Sequence, residues 1–413
     1  MPLILRAARL FDGRQLLRDA AVVIDAGVIQ AVGPAAELLP LDSTRVANSE
    51  QFDLGDRTLL PGLIDGHVHL TFSGGEQAMV DVVRDSDELL LLRAVRNAER
   101  ALRAGITTVR DCGDRHNVTF TLRDAIRSGV VRGPRLVACG MPITTTAGHC
   151  HFLGLVADTT DELVRAVRRQ AQAGADSIKV MATGGRLTPG SNASEAQYSA
   201  EQLRLVVEDA HRLGRRVAMH VLGTSGIRNA VAAGADTLEH LSWLQGDDER
   251  AYDEELVAQL VTKRLWASVT NGHSRRMHRV MLGERLNLSP AERQALDVYE
   301  VQLGLIDRMY RSGTPLLVTD DAGVPDVDIA DFPFALASLG TRTSVEPIDV
   351  IQMATSKAAA ALGLDASIGA IEAGKQADLL AVDGDPTQDV LDLTRTAFVF
   401  QGGRLVCAEG KLL

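Results

Sequence analysis

From Gly105 to Thr319 one pattern recurs along the chain: a stretch with apolar residues three and four positions apart, a glycine, and then four to six β-favouring residues. Spacing of three and four marks one face of a helix, and a short unbroken apolar run marks a buried strand. The glycines at 105, 174, 214, 234 and 313 stand just ahead of the runs 106–110, 177–182, 216–220, 237–240 and 315–319. Glycine there supplies the left-handed backbone that ends a helix. Helix starts are legible too: Thr159-x-x-Glu162 and Ser289-x-x-Glu292 read as capping boxes, and Pro290 sits where a first-turn proline is tolerated. With 63–68, 135–139 and 265–270 the runs number eight, each separated from the next by room for a helix. This order predicts an α/β fold, a (β/α)8 TIM-like barrel over residues 59–365. An open doubly wound sheet is the alternative, and the absence of G-x-G-x-x-G and G-x-x-x-x-G-K-[ST] loops argues against it.

The two ends of the chain carry a different pattern. Residues 1–58 and 366–413 show short strands and tight turns, as at 21–25, 28–32, 377–382 and 397–401. Neither segment is long enough to enclose a core of its own, so the two are expected to pair into one small β domain, a β-sandwich beside the barrel.

Composition narrows the function more than the fold. With 46% hydrophobic residues over 413 positions the chain is globular, which excludes a disordered or coiled-coil protein. Its net charge of −11, with no basic run, argues against a nucleic-acid partner. No apolar window approaches the roughly 18 residues of a membrane span, and residues 1–6 lack the apolar core of a signal peptide. The four cysteines, 112, 139, 150 and 407, are far apart and suit a reducing compartment. A cytoplasmic homo-oligomer acting on a small molecule, with no membrane partner, is the expectation.

The chemistry gathers at the ends of the predicted strands, where barrel enzymes keep their sites. Strand one ends in His67-Val68-His69, strand four holds Lys179, strands five and six end at His220 and His240, and strand eight runs into Asp320-Asp321. Residues i and i+2 of a strand face the same way, so His67 and His69 can aim both rings at one ion. Imidazoles with a carboxylate make the ligand set of zinc and its neighbours. Lys179, in the apolar run Ile178-Lys179-Val180-Met181, is an awkward cation among such ligands. A carbamate on its amine would turn it into an anion able to bridge two metals.

Residues 61–70 (PGLIDGHVHL), Lys179 followed by Thr183-Gly184-Gly185, His220, Glu239-His240, Asp321-Ala322-Gly323 and residues 369–379 (GAIEAGKQADL) together resemble the amidohydrolase superfamily. The nearest likeness is to its imidazolonepropionase-like and Xaa-dipeptidase (prolidase-like) branch with a carboxylated lysine. The resemblance implies one metal on His67, His69 and Asp321, and another on His220 and His240. CO2 bound as a carbamate on Lys179 and a hydroxide would bridge them. Two divalent ions, zinc by default, would activate that hydroxide to cleave a C–N bond, with Asp321 as general base. The family pattern sets this aspartate directly before Ala-Gly, which selects Asp321 over Asp320. Gly148-His149 is similar to a stretch that in the dipeptidase branch supplies a histidine to the substrate carbonyl, which implies a catalytic and substrate-binding role for His149. Leu222 departs from the pattern, standing where dipeptidase-like members often have Tyr or His. Dipeptides, N-acyl amino acids, cyclic amides and carbamates therefore stay open as substrates, as do an ester, lactone or organophosphate hydrolase and a catalytically silent scaffold. Among Asn271, His273, Arg275 and Arg276 after strand seven, Arg275 is the candidate to clamp a substrate carboxylate.

Overall fold

The structure, a computed structural model, describes residues 2–38, 49–246 and 249–413. Strands and helices alternate through its middle, and all eight expected strands are present. They are Leu63–Val68, Ile106–Asp111, Arg135–Ala138, Ser177–Met181, Arg216–Gly223, Thr237–Gln245, Trp266–Thr270 and Leu316–Thr319, numbered one to eight below. Strands one to three pair in parallel, and strands four to eight form a second parallel run. The runs meet at two seams. Asp176 N–H donates to Ala138 O (2.9 Å) between strands three and four, and Val68 bridges Ala322 between strands one and eight. Such an α/β arrangement buries both faces of every strand, which is why the strands read as near-continuous apolar runs. The main core, with Val109, Ile178, Val217, Leu238 and Val318, lies along them.

Strands five and six run past their expected ends, to Gly223 and Gln245. A register shift between Val221 and Gly223 marks a bulge there, and His240, Leu241 and Trp243 take positive φ (73°, 48° and 56°). A bulge re-aims side chains without ending a strand. The helices begin as the sequence implies, with reciprocal capping boxes at Thr159/Glu162 and Ser289/Glu292.

The terminal segments do pair, but as one hydrogen-bonded sheet of nine strands rather than two separate ones. Strand Arg57–Pro61 spans the expected boundary at 58/59 and is the link. It runs parallel to Leu3–Phe11 and antiparallel to Leu379–Asp383, so it joins the N-terminal strands to the C-terminal ones. The sheet encloses a core of its own, with Leu5, Leu10, Val22, Ile29, Leu59, Leu379 and Phe400. Among the described residues no helix is long and apolar enough to cross a membrane.

Candidate active site

Strand one delivers its two histidines as their spacing requires. His67 Nε2 and His69 Nε2 lie 3.3 and 3.2 Å from the same oxygen, Asp321 Oδ1. The seam helps, because His69 N–H donates to Ala322 O (2.7 Å) and so ties the end of strand one beside Asp321. Asp321 itself takes a positive φ of 57°, sparsely populated for aspartate and suited to turning its carboxylate inward. His240 comes from the bulged part of strand six, its ring centre 4.9 Å from that of His67 and 4.6 Å from that of His220. Lys179 Nζ, almost wholly buried, lies 3.2 Å from His67 Nε2. His220 Nε2 faces Gly184 O at 3.1 Å.

The outer edges of these rings are already committed. His69 Nδ1 lies 2.9 Å from Gly113 O, and His240 Nδ1 lies 2.8 Å from Thr270 Oγ1. His67 Nδ1 lies 2.9 Å from Glu239 Oε2. Glu239 in turn accepts from Arg110 Nη2 (2.7 Å), and Arg110 also donates to Gly66 O (2.7 Å) and Thr237 Oγ1 (2.9 Å). Burial opposes a charge on Glu239, but Arg110 and His67 outweigh it and hold the carboxyl well below its ordinary value. A carboxylate or carbonyl on Nδ1 fixes the tautomer and leaves Nε2 with a lone pair.

The consequence appears at Asp321 Oδ1, which is buried and receives no hydrogen bond. A carboxylate oxygen facing two imidazole nitrogens calls for a cation among them, either a proton, which against the cost of burial Asp321 draws onto His69 by pushing that ring up to about 9, or a metal ion. One donor atom from each of His67, His240 and Asp321 lies within 4.8 Å of the others, so the donor set suits a divalent ion. Burial pushes His240 down to about 3 and His220 well below its ordinary range, so both rings are neutral and available as ligands.

Asp320 has a different environment. It turns away toward Asp65, and burial together with that second carboxyl pushes it well above the ordinary range, while its Oδ1 accepts from Ala322 N–H (3.0 Å).

His149 lines one cavity of about 240 Å³ with His67, His69, Lys179, His220, His240 and Asp321, and Phe72, Cys150, Met181, Leu187, Leu222 and Val324 add to its wall. Phe72 stacks on His69 at 4.7 Å. A second cavity, of about 250 Å³, adjoins through Arg186, Leu222 and His240 and includes His273 and Tyr299. Arg275 lines neither, contrary to the expectation for it. It is the first residue of helix Arg275–Met281, capped by Ser274, and there its Nε bonds Asp331 Oδ1 (2.6 Å) while its guanidinium stacks 4.8 Å above Phe334. The neighbouring helix turn supplies a carboxylate, and the arginine pairs with it there.

Sequence reasoning passed over Arg110 and Thr188. Arg110 carried the same signal as Lys179, a cation inside an otherwise apolar strand. Thr188 carried none.

The chain belongs to the amidohydrolase family, which residues 58–406 match. It is an enzyme, a hydrolase acting on carbon–nitrogen bonds. Over 97% of its length, and 85% of the relative's, it is 28% identical to ochratoxinase of Aspergillus niger. It is 27% identical to imidazolonepropionase of Pseudomonas aeruginosa, over 91% of this chain and 90% of that one. In three dimensions it is similar to a Xaa-Pro dipeptidase with methionine bound in the active site, with a TM-score of 0.84 at 27% identity, covering 98% of this chain and 99% of the other.

Proposed function

We propose that the chain is a binuclear, divalent-metal hydrolase of amide bonds in small molecules, with N-acyl amino acids carrying bulky apolar groups as its substrate class. The observation that carries the metal reading is the unsatisfied Asp321 Oδ1 facing two imidazole nitrogens, with Lys179 beside them. In this reading His67, His69 and Asp321 would hold one ion and His220 and His240 the other, with Lys179, as a carbamate, a further anionic ligand, and zinc as the metal. When bound, the ions supply Lewis acidity that makes water a nucleophile near neutral pH and polarises the scissile carbonyl.

The chain's own groups do the rest. The Asp321 carboxylate takes the proton of the attacking water and passes it to the leaving nitrogen. Glu239 and Arg110 hold the His67 ring in orientation. Phe72, Met181, Leu187, Leu222 and Val324 favour an apolar substituent and exclude water. Leu222 offers no hydrogen bond to a polar end, which favours a bulky acyl amino acid over a simple dipeptide. The architecture proposed with it is a (β/α)8 barrel over 59–365, with 1–58 and 366–413 as the small β domain, in a cytoplasmic enzyme.

Purified protein is expected to contain two metal ions per chain and to hydrolyse N-benzoyl-L-phenylalanine faster than dipeptides, cyclic amides or carbamates. A chelator is expected to abolish hydrolysis until metal returns. Lys179→Ala is expected to lose metal, and reconstitution of stripped wild-type protein is expected to speed up with bicarbonate. An active metal-free protein would refute the reading, and a fully active Lys179→Ala with two metals would refute the carbamate.

A further inference from the structure

His149 is gripped along its backbone and its ring. Its N–H donates to Gln197 Oε1 (2.7 Å), and its carbonyl accepts from Thr144 Oγ1 (2.8 Å). A Cβ on Gly185 would stand 2.4–2.5 Å from three of its ring atoms, so the ring lies flat against that backbone. The last hold is Thr188 Oγ1, 3.1 Å from Nδ1. A loop histidine without a task has no need of such confinement.

The Thr188 contact has a direction. A threonine hydroxyl donates one hydrogen bond and accepts up to two. Thr188 is 3% exposed, and its oxygen already accepts from Cys150 N–H at 2.9 Å. Two acceptors lie within reach of the hydroxyl proton, His149 Nδ1 at 3.1 Å and the sulfur of Cys150, and a thiol sulfur accepts far more weakly than an imidazole nitrogen. An unmatched buried hydroxyl proton is costly, so the proton goes to Nδ1. A neutral imidazole that accepts at Nδ1 carries its own proton at Nε2. Among the described residues the Nε2 edge meets a weak acceptor, Cys150 Sγ at 3.5 Å, and the ring borders the cavity 4.5 Å from the His220 ring centre.

We propose that Thr188 is a positioning residue that locks His149 as the Nε2–H tautomer, so that a neutral imidazole presents a hydrogen-bond donor to the carbonyl oxygen of the bound amide. The catalytic half of this proposal rests on the hydrolase reading above. The carbonyl oxygen gains negative charge as water adds to the carbonyl carbon, and a donor set in place beforehand stabilises that charge without reorganisation. The other tautomer would turn a lone pair toward the same oxygen and oppose the reaction. No proton is transferred to or from His149 in this role.

The test uses metal-loaded protein labelled with 15N-histidine, with the His149 signals identified by their loss in His149→Gln. Wild type and Thr188→Ser are expected to show a protonated Nε2 and a bare Nδ1. Thr188→Val, which keeps the shape and removes the hydroxyl, is expected to show a mixture. With N-benzoyl-L-phenylalanine, Thr188→Val is expected to lose at least about tenfold in kcat, up to the roughly 10²–10³ of a lost oxyanion donor, with KM and metal content little changed. Thr188→Ser is expected to keep most of the wild-type kcat, which a merely space-filling role would not predict. A protonated Nδ1 in wild type overturns the proposal. Full kcat in Thr188→Val overturns it as well, and so does a Thr188→Ser variant as slow as the valine one. The nitrogen spectrum needs no turnover, so a wild type that hydrolyses no amide refutes the hydrolase reading while the tautomer is still decided. Should Thr188→Val fail to fold, wild type and Thr188→Ser decide it alone.

Discussion

Asp320 and Asp321 are neighbours in the chain and strangers in the fold. Both lie just past the end of strand eight, and the left-handed backbone of Asp321 sends it toward His67 and His69 while Asp320 faces Asp65. Asp321→Asn keeps the shape and removes the proton acceptor, so kcat is expected to fall by about 10²–10⁴ or more, while Asp320→Asn is expected to be far milder. Steady-state kinetics on both variants settles the comparison, and the reverse order would show the roles exchanged. Glu239 makes a second case at the same scale. Its two oxygens serve three donors, Arg110 and Thr237 on Oε1 and His67 on Oε2, and an amide has only one oxygen. Glu239→Gln therefore sets an N–H against one of them, and metal affinity is expected to weaken by about 10- to 100-fold, measured by competition with a chelator.

Elements bring these residues together through a few tight places. The seam of strands one and eight is one, where Gly323 takes a φ of 102° and a Cβ on it would lie 2.2 Å from His69 O. Neither the backbone angle nor the space admits a side chain. Gly323→Ala is expected to destabilise the protein by more than about 1 kcal/mol and to push His69 away from Asp321. Thermal unfolding and metal content after dialysis would both register it, and an unchanged metal content would show the seam to be slack. The bulge in strands five and six is another tight place. It lets both strands continue beyond their histidines, although the apolar runs 216–220 and 237–240 end at them. Periodicity sees the run of apolar residues and not the pairing that extends it.

For the molecule as a whole, acid stability turns on buried neutral imidazoles. Burial, with His273 and Arg275 adding to it, takes His278 from its ordinary 6.5 down to about 3, while its Nδ1 bonds Ser338 Oγ (2.9 Å). The unfolded chain binds this proton more readily than the folded one. The stability is therefore fully present above pH 6.5 and is lost as pH falls toward 3, at up to about 1.4 kcal/mol per pH unit. His278→Gln is expected to flatten the unfolding free energy across that window, measured by urea titration at several pH values. A variant as acid-sensitive as wild type would place the effect elsewhere.

Read alone, the sequence sufficed for the order of the strands, the glycines that end the helices, the capping boxes and the types of residue at the strand ends. Each of these is a local property, set by spacings of two to four residues and by the conformations that glycine and proline allow. The same local reading placed Arg275 toward a substrate, because nothing near it in the chain announces Asp331, 56 residues away. It also left Arg110 without a purpose and Thr188 unnoticed. The partner of a buried charge is chosen by packing across the sheet: His67 meets Glu239 from 172 residues away, and His149 meets Thr188 from 39. Burial makes those pairings obligatory, and only the closed fold decides which atoms are within reach of one another.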